Sequence, residues 1–249
     1  MSPISNMKVK LNSALIAIAI VTTALILGDA FTNRNKRNNT ISVTGLGSKS
    51  FTSDLIVWSG EFVRKSLVLR EAYSQLDQDR EAIRKYLLGK GLKADNLVFS
   101  AVEIAKEFDE QYDDNGNRIR SIFTGYKLTQ RAQVESSDVD KVENISRTIT
   151  ELINAGIEFY SSSPEYYYTK LAELKVEMIA AATKDASIRA QKIAENAGSS
   201  VGKLKNAEMG VFQIVAENSS EDFSWGGSFN TSSKRKTANI TVRLDYEAD

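Results

Sequence analysis

The 249-residue chain contains no histidine, no cysteine and only two prolines. Without histidine there is no imidazole general base, no Ser-His or Cys-His nucleophile and no histidine metal ligand. Without cysteine there is no disulfide framework, no thiolate site, no Fe–S cluster and no thiol redox switch. Two prolines are too few for a Pro-rich linker. An excess of charge is missing as well: 32 basic residues face 32 acidic ones, for a formal net charge of zero. That balance offers no basic field, so nucleic acid is not an expected partner. What is present is 42% hydrophobic, 26% charged and 8% aromatic residues, the composition of a chain able to bury a substantial core.

The N-terminus reads as a targeting segment. Lys8 and Lys10 precede an apolar run from Leu11 to Leu27, followed by Gly28-Asp29-Ala30. A basic start, a short apolar stretch and small residues two apart (Gly28 and Ala30) fit a secretory signal cleaved after Ala30. The run of roughly 17 residues is at the low end of what spans a bilayer, so an uncleaved anchor fits too. Residues 1–30 are therefore expected to be a signal peptide or membrane anchor, and residues 31–40 a polar tether. Export without cysteine points to a bacterial envelope compartment.

Beyond the tether, strand-like and helix-like periods alternate. Ile41–Gly47 and Asp54–Lys65 are rich in β-branched and aromatic residues and predict two strands. Over Val68–Gly89 the spacing turns helical, with Leu69, Ala72, Tyr73, Leu76, Ile83 and Leu87 on one face. Asn96–Phe108 and Arg118–Val134 predict a hairpin turning at Asp113–Asn117, where Asn115-Gly116 is a strong turn signal. Asp138–Ala155 predicts a helix with Val139, Val142, Ile145, Ile149, Leu152 and Ile153 inward, stopped at Gly156. Ile157–Tyr160 is a short strand. Leu171–Ala197 is a long helix, apolar at Leu171, Leu174, Met178, Ala182, Ala186, Ala190 and Ile193. Lys203–Val215 and Thr237–Tyr246 are the last strands. The order ββα-ββα-β-α-ββ after an N-terminal apolar helix implies an α+β fold with a mainly antiparallel sheet. No linker divides residues 41–249, which points to one domain built from two interleaved halves.

Several motifs fail when measured against their chemistry. Gly45-Leu46-Gly47 lacks the third glycine of a dinucleotide loop, because Ser50 stands there and a strand follows; a bend or bulge in an edge strand is the expectation. In the acidic hairpin, setting Gly116 at position 6 of a Ca²⁺ loop puts Gln111 and Ile122 where carboxylates are required. Ser200-Val201-Gly202-Lys203 has the spacing of a Ser/Lys nucleophile pair, but no Ser-Asp-Asn follows and Lys236-Thr237-Ala238 lacks the third-motif glycine. No catalytic, cofactor or metal residue is therefore assigned. Two aromatic stretches stand out instead. One carries Phe159, Tyr160, Tyr166, Tyr167 and Tyr168; the other carries Phe223, Trp225 and Phe229. Aromatics with polar handles either anchor interfaces or plug the ends of a core, and these eight form the candidate interface.

Ile41-Ser42-Val43-Thr44-Gly45-Leu46-Gly47, the Ala-rich segment Asp185–Gly198, the turn Gly202-Lys203-Leu204 and the closing strand Ala238–Leu244 together resemble SIMPL-domain proteins. The resemblance spans residues 41–246 in order, with one departure at Ser199-Ser200-Val201-Gly202, where that family more often has a plainer Gly-hydrophobic-Gly turn. It implies an α+β fold, a bacterial envelope location behind a signal or anchor, ring-like oligomers and a loose connection with envelope stress. It supplies no catalytic residues. The resulting expectation is a non-enzymatic exported protein, in the periplasm or on the inner membrane facing it, that forms homo-oligomers or binds partners. It would touch the membrane through its N-terminal segment if that segment is uncleaved. The competing expectations are a carboxylate- or Ser200/Lys203-dependent hydrolase of envelope material, and a small-ligand or metal module built on the acidic hairpin.

Overall fold

A computed structural model describes residues 16–31, 39–220 and 224–248. Lys8, Lys10 and the start of the apolar run, the tether residues 32–38, and Phe223 lie outside the described residues. Residues 16–31 form helix α1, solvent-exposed along its length. Among the described residues no helix is long and apolar enough to cross a membrane.

The elements that follow are β1 (Thr40–Thr52), β2 (Leu55–Ser66), α2 (Leu69–Gly89), β3 (Leu97–Phe99), β4 (Glu103–Tyr112), β5 (Arg118–Ser136) and α3 (Val139–Thr148). Then come β6 (Phe159–Ser161), β7 (Glu165–Tyr167), α4 (Leu171–Ala197), β8 (Val201–Met209), β9 (Gln213–Ala216), β10 (Ser228–Phe229) and β11 (Arg235–Ala248). The fold is α+β, with strands joined mostly antiparallel, as the alternation of periods implied. The chain divides into two compact units, one combining residues up to Ser48 with Val176–Val211 and Asn239 onward, the other combining Lys49–Lys175 with Phe212–Ala238.

The larger unit is built on a six-stranded sheet in the order β3-β5-β2-β6, with β4 also pairing β5 and β7 also pairing β2. β2 and β5 run antiparallel from Ile56↔Ser136 to Ser66↔Tyr126. One face of that pair, with Ile56, Trp58, Phe62, Leu128 and Val134, meets Ala72, Leu76, Ile83 and Leu87 of α2 and Val142 and Ile145 of α3 in a single apolar cluster. The helical spacing thus identified the buried stripe of α2, although Leu69 and Tyr73 are exposed. In their place the stripe includes Asp79, which is 6% exposed. Its carboxylate accepts two bonds from the Arg64 guanidinium of β2, at 2.5 and 2.8 Å, and Arg64 also donates to the Gly156 carbonyl. The pairing raises the Arg64 pKa further, first through the hydrogen bond to Asp79. A buried carboxylate is tolerable only with such a partner. Asp79→Ala should lower stability by about 3 kcal/mol, the low end for a broken buried pair because Arg64 keeps some water and the Gly156 carbonyl; urea unfolding measures it, and a loss under half that size would contradict the account.

Three elements differ from expectation. The helix after Asp138 is α-helical only to Thr148 and continues as a 3₁₀ turn over Ile149–Ala155. That tightening buries Ile149 and Leu152 but leaves Ile153 exposed. Gly156 stops the turn in the left-handed region at φ 72°, as a C-terminal glycine does. The strand predicted over Asn96–Phe108 is broken into β3 and β4, and the one over Lys203–Val215 into β8 and β9.

In the smaller unit α4 packs on β1. The helix matches the predicted Leu171–Ala197 span. Its buried line runs through Met178, Ala182, Ala186, Ala190 and Ala194, while Ile193 is exposed. Facing it, β1 buries Val43, Gly45 and Gly47 at alternate positions. A Cβ on Gly45 would lie 2.1 Å from the Ala182 carbonyl oxygen and 2.4 Å from the Ala186 nitrogen, and one on Gly47 would lie 2.4 Å from the Met178 carbonyl oxygen. The two glycines therefore serve close helix-on-strand approach rather than a bend. The Leu46 N–H between them donates to Asp185 of α4 at 2.9 Å. That bond, followed by the Arg189 guanidinium, holds the Asp185 carboxyl below the usual carboxylate range.

Candidate functional site

The aromatic stretch Phe159–Thr169 is not a loop. Its β6 pairs with β2 through Phe62↔Phe159, Glu61↔Tyr160 and Gly60↔Ser161, and its β7 pairs through Ile56↔Tyr166 and Leu55↔Tyr167. Strand alternation then sorts the aromatic residues by face. Phe159 lies against Phe62 and Trp58, with ring centroids 6.5 and 5.7 Å apart, and a Cβ on Gly60 would strike its ring at 2.0 Å. Tyr166 is 7% exposed and donates its hydroxyl to Glu143 of α3 at 3.2 Å. Burial, then the Glu143 carboxylate, raises the Tyr166 hydroxyl above its ordinary pKa. These two residues, placed with the candidate interface on sequence grounds, belong to the core of the larger unit. Sheet pairing turned their side chains inward.

The others sit farther out. Tyr160 is 60% exposed and bonds Glu158 at 3.0 Å. Tyr168 packs on Phe51 at 4.7 Å between centroids. Tyr167 bonds Glu165 at 2.8 Å and lies 6.5 Å from the Phe229 ring. Phe229 belongs to β10, which pairs parallel with β9 through Ser228↔Gln213 and Phe229↔Ile214. The structure thus brings the two aromatic stretches together at Tyr167 and Phe229. Trp225 is 89% exposed and Phe229 48%.

Sequence reasoning missed the residue against Phe229. Lys236 of β11 is 1% exposed. Its ammonium donates to the Tyr166 carbonyl and lies 5.7 Å from the Phe229 ring centroid. Burial pushes its pKa down to about 8. The available signal was alternation: Lys236, Ala238, Ile240, Val242 and Leu244 share one face of β11, and a lysine in register with four apolar residues is a candidate for burial.

The other candidates are structurally occupied. In the hairpin, Asp113 accepts from the backbone N–H groups of Asn115 and Asn117 at 2.9 and 2.8 Å. Those bonds, Asn117 first, lower its pKa and make it the hinge of the turn. Glu107 pairs with Lys65 at 2.8 Å and Glu110 with Arg118 at 3.2 Å. Among the described residues no three carboxylates converge at metal-binding distance. Ser200 and Lys203 flank the start of β8 and are both exposed, so neither sits in the dry surroundings that activate a lysine base.

The family model described as "SIMPL: Protein of unknown function (DUF541)" matches residues 41–245. The chain belongs to the SIMPL family. No curated protein matches it. The SIMPL match covers both units, from β1 to the last strand, and includes the Gly45–Gly47 seat for α4.

Proposed function

We propose that this SIMPL chain is a non-enzymatic exported protein of the bacterial envelope, in the periplasm or on the inner membrane facing it, that works by assembling with itself or with partner proteins and is connected with envelope stress. The observation that carries this reading is the aromatic surface of the larger unit. Trp225 is 89% exposed and Phe229 48%; with Tyr167 and the Lys236 ammonium against the Phe229 ring, these residues have the composition of an interface anchor. β1 stands at the edge of its sheet, where Asp185 already takes the Leu46 N–H. The apolar N-terminal segment, whose first residues are flanked by Lys8 and Lys10, supports export.

Light scattering on the full chain in mild detergent tests the reading. The wild type should scatter as an oligomer, and the double change Tyr167→Ser with Trp225→Ser should shift it toward monomer while the circular dichroism is retained. Losing one central anchor typically costs about 2 kcal/mol, roughly thirtyfold in affinity. A wild type monomeric at high micromolar concentration sinks self-assembly.

A further inference from the structure

Past Glu107 and Gly125 the β4–β5 hairpin leaves the sheet. β2 pairs with β5 no farther than Tyr126, so Arg118–Gly125 of β5 has β4 on one side and, among the described residues, no strand on the other. The register slips at this point, with Glu107↔Gly125 followed by Phe108↔Phe123, and again nearer the tip, where Gln111↔Arg120 is followed by Tyr112↔Arg118 and Ile119 is the extra residue. Gly125 takes up the first slip at φ 140°, where a Cβ would meet the Ser66 carbonyl oxygen at 2.9 Å. One extra residue reverses the in/out alternation. Phe123 therefore falls on the same face as Tyr126, and the rings of Phe108, Phe123 and Tyr126 form a ladder with centroids 5.7 and 5.2 Å apart. That face carries Ile104, Phe108, Tyr112, Ile119 and Phe123, exposed by 57, 49, 60, 68 and 37%, with Lys106, Glu110 and Ser121 between them. A two-stranded ribbon with an uncovered apolar face is at best marginal in water by itself.

The two edges of the ribbon differ in charge. β4 carries Glu103, Glu107, Asp109 and Glu110, so pairing two β4 edges would set carboxylates against one another. The free edge of β5, Arg118-Ile119-Arg120-Ser121-Ile122-Phe123-Thr124, has no acidic residue. We propose that this edge pairs antiparallel with the same edge of a second copy, with Ser121 on the two-fold axis, giving a four-stranded β4-β5-β5-β4 sheet. The register follows from the side chains. Centred on Ser121, Ile119 of each copy faces Phe123 of the other, Arg120 faces Ile122 and Arg118 faces Thr124. Centred on Arg120, two guanidinium groups would collide; centred on Ile122, Phe123 would face Ser121 and Ile119 would face a glycine. Only the first register joins the two aromatic ladders into one apolar strip. This rests on the self-assembly reading and assigns it a second contact, separate from the Trp225 surface.

The absence of native cysteine makes the test clean. Directly opposed Cβ atoms lie about 4.5–5.5 Å apart, and diagonal ones about 7–8 Å, against about 3.8 Å in a disulfide. Under mild oxidation of the full chain in detergent, Ser121→Cys should yield at least tenfold more covalent dimer than Arg120→Cys or Asp109→Cys. Ser121→Lys should weaken the assembly at least tenfold in light scattering while leaving the fold intact, since within one copy position 121 is paired with Glu110. An oligomeric wild type with equal cross-linking at the three positions, or with Ser121→Lys assembling normally, overturns the pairing but leaves self-assembly standing. A monomeric wild type overturns both.

Discussion

Replacing Lys236 by Met should make the protein more stable at pH 7, and the gain should vanish as the pH is raised. Burial lowers the Lys236 pKa from 10.5 to about 8, with the Tyr166 carbonyl and the Phe229 face beside its ammonium. The folded form then binds its proton less tightly than the unfolded form. Between pH 8 and 10.5 the unfolded chain holds that proton while the folded chain has released it, so stability rises with pH through this window. Below pH 8 the full penalty is present, about 3 kcal/mol at 1.4 kcal/mol per pH unit. Met fills a similar volume without the charge. The variant should melt roughly 5–10 °C above wild type at pH 7, with the gap closing toward pH 10. Comparing the two proteins at each pH cancels other groups, including Lys90 and Lys234, whose pKa values are raised by their carboxylate partners. A variant that melts below wild type at pH 7, or a gap independent of pH, refutes the assignment.

The second large effect belongs to Gly45. Any Cβ there would stand 2.1 Å from the Ala182 carbonyl oxygen and 2.8 Å from the Ala186 methyl group. The first obstacle is helix backbone, which no rotamer change relieves. Gly45→Ala should push α4 off β1 and cost at least about 3 kcal/mol, the upper range for overpacking. Gly116→Ala is a useful contrast, since no atom lies within 4 Å of a Cβ there and its cost is only the left-handed backbone at φ 79°, about 1 kcal/mol. Chemical denaturation of the three proteins checks the order. Equal losses at the two glycines would mean that α4 and β1 are not in close contact.

The sequence alone determined the elements whose signals are local. The α4 span from Leu171 to Ala197 was legible because apolar and small residues recur every three to four positions and Gly198 ends the run in the left-handed region at φ 69°. The turn at Asp113–Asn117 was legible because Asp113, Asn115 and Gly116 satisfy its backbone without outside help. The SIMPL motifs were legible because they are contiguous. Tertiary structure alone decided the rest. β7 has three residues, too few for a period of its own, and exists because β2 offers it a pairing edge, while the short strand expected at Ile157–Tyr160 is set by the same pairing at Phe159–Ser161. That pairing divided one aromatic stretch into the core residues Phe159 and Tyr166 and the outward Tyr160. Asp79 and Lys236 read as ordinary surface charges until Arg64 met the one and the Tyr166 carbonyl met the other. Gly45 and Gly47 gained their meaning from a helix more than 130 positions away (|i−j| = 139 for the Leu46–Asp185 bond). Local signals depend on torsional preference and hydrophobic period, which a chain carries with it; burial of a charge and close approach of backbones depend on two surfaces, and come into being only when distant segments meet.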